Sequence, residues 1–120
     1  MTNSERAQQL WPLLVLAARN QQVLGYAMIE QMTGIAKQGL GQPLGSIYYY
    51  CRRHNFPLLN LLAISQETGR PSFEDFKGMD LPVAQSRVFV FDWLSHAIPS
   101  TQDFDEARAA EEVKTSKASA

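Results

Sequence analysis

The sequence predicts one small α+β domain in which three helices and a short β-hairpin are followed by an added C-terminal helix and a disordered tail. Three observations carry this. The chain has 120 residues, 45% hydrophobic and 19% charged, enough apolar material to bury roughly two-thirds of the unfolded surface and too much for a disordered chain. Apolar residues recur at helical spacing around Leu14 and again around Ile47, the period of a helix with one face in a core. A proline-led apolar run at 58–65 then ends in Gln66-Glu67-Thr68-Gly69, the pattern of a buried strand entering a turn. The predicted division is a domain over 1–100 and a flexible acidic tail over 101–120.

The first helix rests on Leu10, Leu13, Leu14, Ala17 and Ala18, widened by Trp11, Val15 and Leu16. Pro12 lies inside it and lacks the N–H that helix interiors use, which predicts a kink or a helix restarting near Trp11. The second helix is short, over 26–33, with Tyr26, Ile29 and Met32 on one edge and Gly34 placed as its terminating glycine. The third has the clearest stripe: Leu40, Leu44, Ile47, Tyr48 and Cys51, with Pro43 tolerated in its first turn. Asn55-Phe56-Pro57 stops it, because a residue before proline avoids the helical region. Phe73 and Phe76 are expected to anchor a loop on the core. Asp80 ahead of Leu81-Pro82 is placed as an N-cap. Length favours a helix over 83–96, while the β-favouring run 87–93 keeps a strand open. Residues 101–120 show no apolar period beyond Phe104 and Val113, so a mobile tail is predicted, with nascent helix at most over 104–113.

Charge and composition narrow the function. Lys and Arg number 11 against 12 Asp and Glu, a net of -1, which excludes a globally basic nucleic-acid coat. The sum hides a polarity of +3 over residues 1–70 and −4 over 71–120. That split fits a binding face followed by an acidic, solubilising end. One cysteine excludes an internal disulfide framework and a zinc ribbon. No apolar run reaches the roughly 18 residues of a membrane span, and the first residues lack signal-peptide character. These features predict a cytoplasmic protein with no membrane partner, no cofactor and no metal.

The order helix, short helix, helix, strand, hairpin tip is that of a winged-helix-like domain, in which the third helix enters a DNA groove and the wing touches the backbone beside it. Gln38, Gln42, Ser46, Tyr49 and Arg53 form the predicted reading face, the glutamines being suited to adenine. Lys37, Arg52 and Arg70 are the predicted phosphate contacts, Arg70 at the wing. Double-stranded DNA is thus the first predicted partner. The alternative is a protein partner docked on exposed aromatic and apolar residues of the same fold.

Residues 25–72 resemble the winged-helix half of the alkylguanine-DNA alkyltransferases and alkyltransferase-like proteins. The resemblance lies in Leu24-Gly25-Tyr26, Ile29 through Gly34, Gln38-Gly39-Leu40-Gly41, Pro43-Leu44, Asn55-Phe56-Pro57 and Glu67-Thr68-Gly69. It implies a winged helix that binds DNA. Where that family carries its nucleophile, in Pro-Cys-His-Arg, this chain has Leu58-Leu59-Asn60-Leu61, so alkyl transfer is excluded and a non-enzymatic role is expected. Gln38 stands at the family's arginine finger, which leaves base flipping without its usual wedge. Residues 50–72 also resemble a module of small uncharacterised bacterial, phage and mobile-element proteins, which implies no particular activity.

Other chemistry-bearing residues have plainer roles. Cys51 and His54 are three apart on one helix, two potential ligands and too few for a metal. Cys51 falls on the apolar stripe, and a buried thiol stays protonated. Of the run Tyr48-Tyr49-Tyr50, successive side chains point about 100° apart. Tyr48 is therefore expected in the core and Tyr49 outside. Arg52-Arg53-His54 also suit the exposed carbonyls of a helix end. Glu74, Asp75 and Asp80 match no catalytic spacing and predict a solvated loop.

Overall fold

The computed structural model describes residues 1–71 and 78–119, with side chains described through residue 113. Phe73, Phe76, Glu74 and Asp75 lie outside the described residues. The α+β class holds in its coarse form: among the described residues five α-helices accompany a small two-stranded parallel pair. The elements are α1 (Asn3–Arg19), β1 (Leu24–Gly25), α2 (Tyr26–Thr33), α3 (Gly41–Arg53), β2 (Ala63–Ile64), α4 (Leu81–Val90) and α5 (Thr101–Ser119), with 3-10 turns at Lys37–Gly39, Leu59–Leu62 and Trp93–Ser95.

α1 starts earlier than its apolar stripe. Thr2 Oγ1 accepts from Glu5 N at 3.1 Å, and Glu5 accepts from Thr2 N at 3.0 Å. This reciprocal cap satisfies two otherwise orphan donors and holds the Glu5 carboxyl below its usual range, chiefly through the Thr2 backbone hydrogen bond. The helix runs unbroken through Pro12, in place of the predicted restart. Pro12 is on the exposed side, where water can serve the carbonyl that loses its partner.

α1 and α3 end alike. Gln21 and Asn55 have φ of 54° and 61°. The following amides, Gln22 N and Phe56 N, bond back to Ala17 O at 2.9 Å and Cys51 O at 2.8 Å. Each is a Schellman closure with a non-glycine residue in the left-handed position. The sequence points to Asn55-Phe56-Pro57 as the stop of α3, and within it Asn55 makes the turn. Gly34, with φ 77°, ends α2 as predicted.

The expected strand over 58–65 is mostly a buried 3-10 turn at Leu59–Leu62 leading into β2. A continuous apolar run has no period to distinguish strand from turn, and this one is covered by α1, α3 and α4. β2 pairs in parallel with β1, Leu24 opposite Ala63 and Gly25 opposite Ile64. Beyond β2, Ser65 N donates to Arg70 O at 2.9 Å and Gly69 N to Ser65 O at 2.8 Å. A tight turn therefore stands where the wing tip was placed, with no return strand among the described residues.

α4 begins at its predicted cap, Asp80 accepting from Val83 N at 3.4 Å, and resolves run 87–93 as helix only to Val90. Phe91 is extended. The buried Trp93 indole donates to Val88 O at 2.8 Å, occupying a carbonyl of the last turn of α4 and ending the helix short of 96.

The largest correction concerns the tail. Residues 101–119 form α5, which packs along α3 and α1. Ser100 and Asp103 cap it reciprocally, Asp103 N donating to Ser100 Oγ at 3.1 Å and Ser100 N to Asp103 Oδ2 at 2.8 Å. Phe104 is wholly buried and Ala107 nearly so. The Trp11 ring lies 6.1 Å from Phe104, 5.4 Å from Tyr50 and 5.6 Å from Trp93, one aromatic cluster shared by α1, α3, α5 and the Trp93 turn. A mean composition of Ala, Glu and Lys hides two apolar residues three apart, and that pair is what the core takes up.

Two outcomes follow for stability. Phe104→Ala should cost about 3–5 kcal/mol in urea unfolding, whereas a change in a mobile tail would cost almost nothing. Asn55→Ala should cost about 1 kcal/mol and Asn55→Gly should be neutral or stabilising, because only glycine and asparagine take the left-handed position readily.

Candidate nucleic-acid interface

The predicted site residues fall into two groups. Gln42, Ser46, Tyr49, Arg52 and Arg53 lie along α3, and Lys37 and Gln38 occupy the 3-10 turn just ahead of it. Lys37, Gln38 and Gln42 are exposed. Gly39 is close to α1 there: a Cβ would stand 3.2 Å from the Arg6 guanidinium, the end of a flexible side chain. Arg70 is apart, on the turn after β2, and exposed. Lys37 and that turn nevertheless meet, since Lys37, Tyr26, Ala27, Ser65, Gln66 and Glu67 line one cavity of about 210 Å3.

α3 is braced by α1 and α5, while α2 packs chiefly on β1 and the Lys37–Gly39 turn. The expected geometry, a short helix bracing a free recognition helix, is therefore altered. α5 lies over the side of α3 assigned to base reading. Ser46 is buried rather than exposed: its Oγ donates to Gln42 O at 3.3 Å and accepts from Arg108 at 3.0 Å. Arg108 also donates to Gln42 O at 2.9 Å, and its guanidinium sits 5.1 Å from the centre of the half-buried Tyr49 ring. Arg53 donates to Glu106 O at 2.8 Å. Arg52 meets Glu111 at 3.4 Å and Tyr48 Oη at 3.2 Å.

Arg108 is thus the residue most engaged with this face, although the sequence pattern predicts a mobile tail there. The signal that identifies it is local: Ser100 and Asp103 at capping-box spacing, then Phe104 and Ala107 on one helix edge. Arg108 follows directly on that edge and reaches α3.

Electrostatically the two helices oppose one another. No Asp or Glu occurs between Glu30 and Glu67, a stretch that includes all of α3. α5 carries Asp103, Asp105, Glu106, Glu111 and Glu112. With Arg108, Lys114 and Lys117 counted, α5 keeps a small acidic excess; it meets Arg52 through Glu111 and donates to α3 through Arg108.

The other candidates separate cleanly. Cys51 is wholly buried, and burial pushes its thiol up to about 12. His54 is exposed and packs on Tyr50, ring centres 4.2 Å apart, so the two do not share a pocket. Among the described residues no three His, Cys, Asp or Glu side chains gather as a metal site. No described helix is long and apolar enough to cross a membrane. Tyr48 is buried as expected, and burial, more than the Asp103 charge, raises the half-buried Tyr50 phenol.

No known family model matches the chain, and no curated protein or solved structure matches it either.

The Cys51 thiol should resist thiol reagents at pH 8 until the protein unfolds. Its folded-state pKa is raised, so its contribution to stability is intact below about 9, the ordinary thiol value, and is lost as pH climbs toward about 12. Labelling rate against denaturant concentration checks this. Rapid labelling of the native chain would contradict the buried position.

Proposed function

We propose that this is a non-enzymatic DNA-binding protein of winged-helix type that takes duplex DNA along α3 and the turn ahead of it. The observation that supports this reading most is the acid-free stretch from 31 to 66, whose outer helix face holds donors and cations and is matched to an anionic occupant. Duplex DNA offers a higher density of negative charge than any protein helix. In this reading Lys37, which lines the cavity, and Arg70, on the turn after β2, contact phosphates, Gln38 and Gln42 reach base edges, and Arg52 and Arg53 hold the backbone beyond.

A second reading, a protein-interaction module, is favoured by a separate surface. The exposed rings of His54 and His96 pack on half-buried Phe56 and Phe91: His96 lies 4.7 Å from Phe56 and is stacked 5.3 Å from Phe91. Val90, Leu94 and Ile98, 55–81% exposed, neighbour this cluster in sequence.

Salt separates the two. Labelled protein titrated with duplex DNA at about 50 and 200 mM salt should lose one or two decades of affinity between them, about what two to four phosphate contacts give. Amide signals of residues 37–53 should shift, and Lys37→Glu should weaken binding across all sequences. A chain whose residues 37–53 stay unperturbed at low salt does not bind DNA through this face.

A further inference from the structure

α5 is held to the rest of the molecule in two different ways along its length. From Thr101 to Ala107 it is fastened by burial. Phe104 and Ala107 enter the core, Ser4 Oγ bonds to Asp105 Oδ1, and the reciprocal cap fixes the start. From Arg108 to Val113 no residue is buried, and Val113 is 53% exposed. This distal part reaches α3 through polar groups: Arg108 on Gln42 O, Ser46 Oγ and the Tyr49 ring, and Glu111 on Arg52, whose side chain is 45% exposed. The Arg52–Glu111 pair is exposed, screened by salt and open to competing ions, which leaves the Arg108 bonds to Gln42 O and Ser46 as the principal tie of this part.

We infer that the part of α5 beyond Ala107 is a releasable cover that holds α3 closed to DNA. This rests on the DNA-binding reading given above. Ser46, Tyr49 and Arg52 lie under the distal part, while Lys37, Gln38 and Arg70 stay outside it. The cover acts twice. It occupies Arg52, the Ser46 hydroxyl and the Gln42 carbonyl of α3, and Glu111 and Glu112 repel a phosphate backbone brought alongside. DNA meeting Lys37 and Arg70 first then competes with Glu111 for Arg52. The buried Phe104 keeps the released helix tethered, so closing is intramolecular and reversible.

Arg108 makes the test sharp. Removing a cation should weaken DNA binding on charge alone. Removing this one frees the cover, and Arg108→Ala should therefore bind tighter. The experiment titrates the full chain, Arg108→Ala and the double variant Arg108→Ala/Glu111→Gln with a fluorescent duplex of about 20 bp at low salt. Glu112→Gln, at an exposed position, serves as the charge control. Backbone NMR order parameters over 101–119 report opening. Arg108→Ala should bind about fivefold or more tighter than the parent, and order should fall beyond 107 while Phe104 keeps its core shifts. Equal or weaker binding by an opened variant overturns the cover and leaves DNA binding standing. Distal order that persists in both variants shows that α5 is not releasable, which also overturns it. If no chain binds even when opening is seen, the DNA reading fails and the cover fails with it.

Discussion

Burial of Phe104 against Trp11, next to Tyr50 and Trp93, is the contact on which the rest of this architecture depends. It joins α1, α3 and α5 through aromatic rings at edge-on or tilted angles, the arrangement aromatic pairs favour beyond their buried area. Without it α5 has little to hold it: its other described side chains are charged, small or exposed, apart from Ala107. A helix of that composition is marginal alone in water. Tertiary packing of one side chain decides whether nineteen residues are helix or tail.

Once α5 is docked, the chemistry of α3 follows. Its inner side faces Leu10, Leu14 and the buried turn at Leu59–Leu62, where Cys51 is a small apolar residue rather than a nucleophile. Its outer side meets α5, where the Glu111 carboxylate takes Arg52, the Glu106 main-chain carbonyl takes Arg53, and Arg108 takes Ser46 and Tyr49. Lys37, Gln38 and Arg70 are exposed outside that contact, and Lys37 lines the cavity between the α3 lead-in and the turn after β2. The polarity of charge along the chain is thus folded back on itself: the acidic end lies on the basic part.

Elements with their own local signal were legible in the sequence. α2 ends at Gly34, α3 keeps its stripe from Leu40 to Cys51, and α4 starts at Asp80 as its cap predicts. Signals of only two residues were not. The capping pairs Thr2 with Glu5 and Ser100 with Asp103 set the starts of α1 and α5, and neither stands out against polar surroundings. The run 58–65 misled because full burial removes the alternation that marks a strand. At the site, residue types were legible and their exposure was not: Ser46 and Tyr49 look like surface positions on α3 until Phe104 brings another helix across them.

Amide hydrogen exchange along α5 tests this account most directly, since protection reports the free energy of local opening. Strong protection should extend from the α5 amides around Phe104 to about Ala107, comparable to the middle of α1, then fall to a weaker but measurable level beyond Arg108. Exchange at random-coil rates from 101 onward would contradict it, for α3 would then be an open face and Phe104 no part of the core.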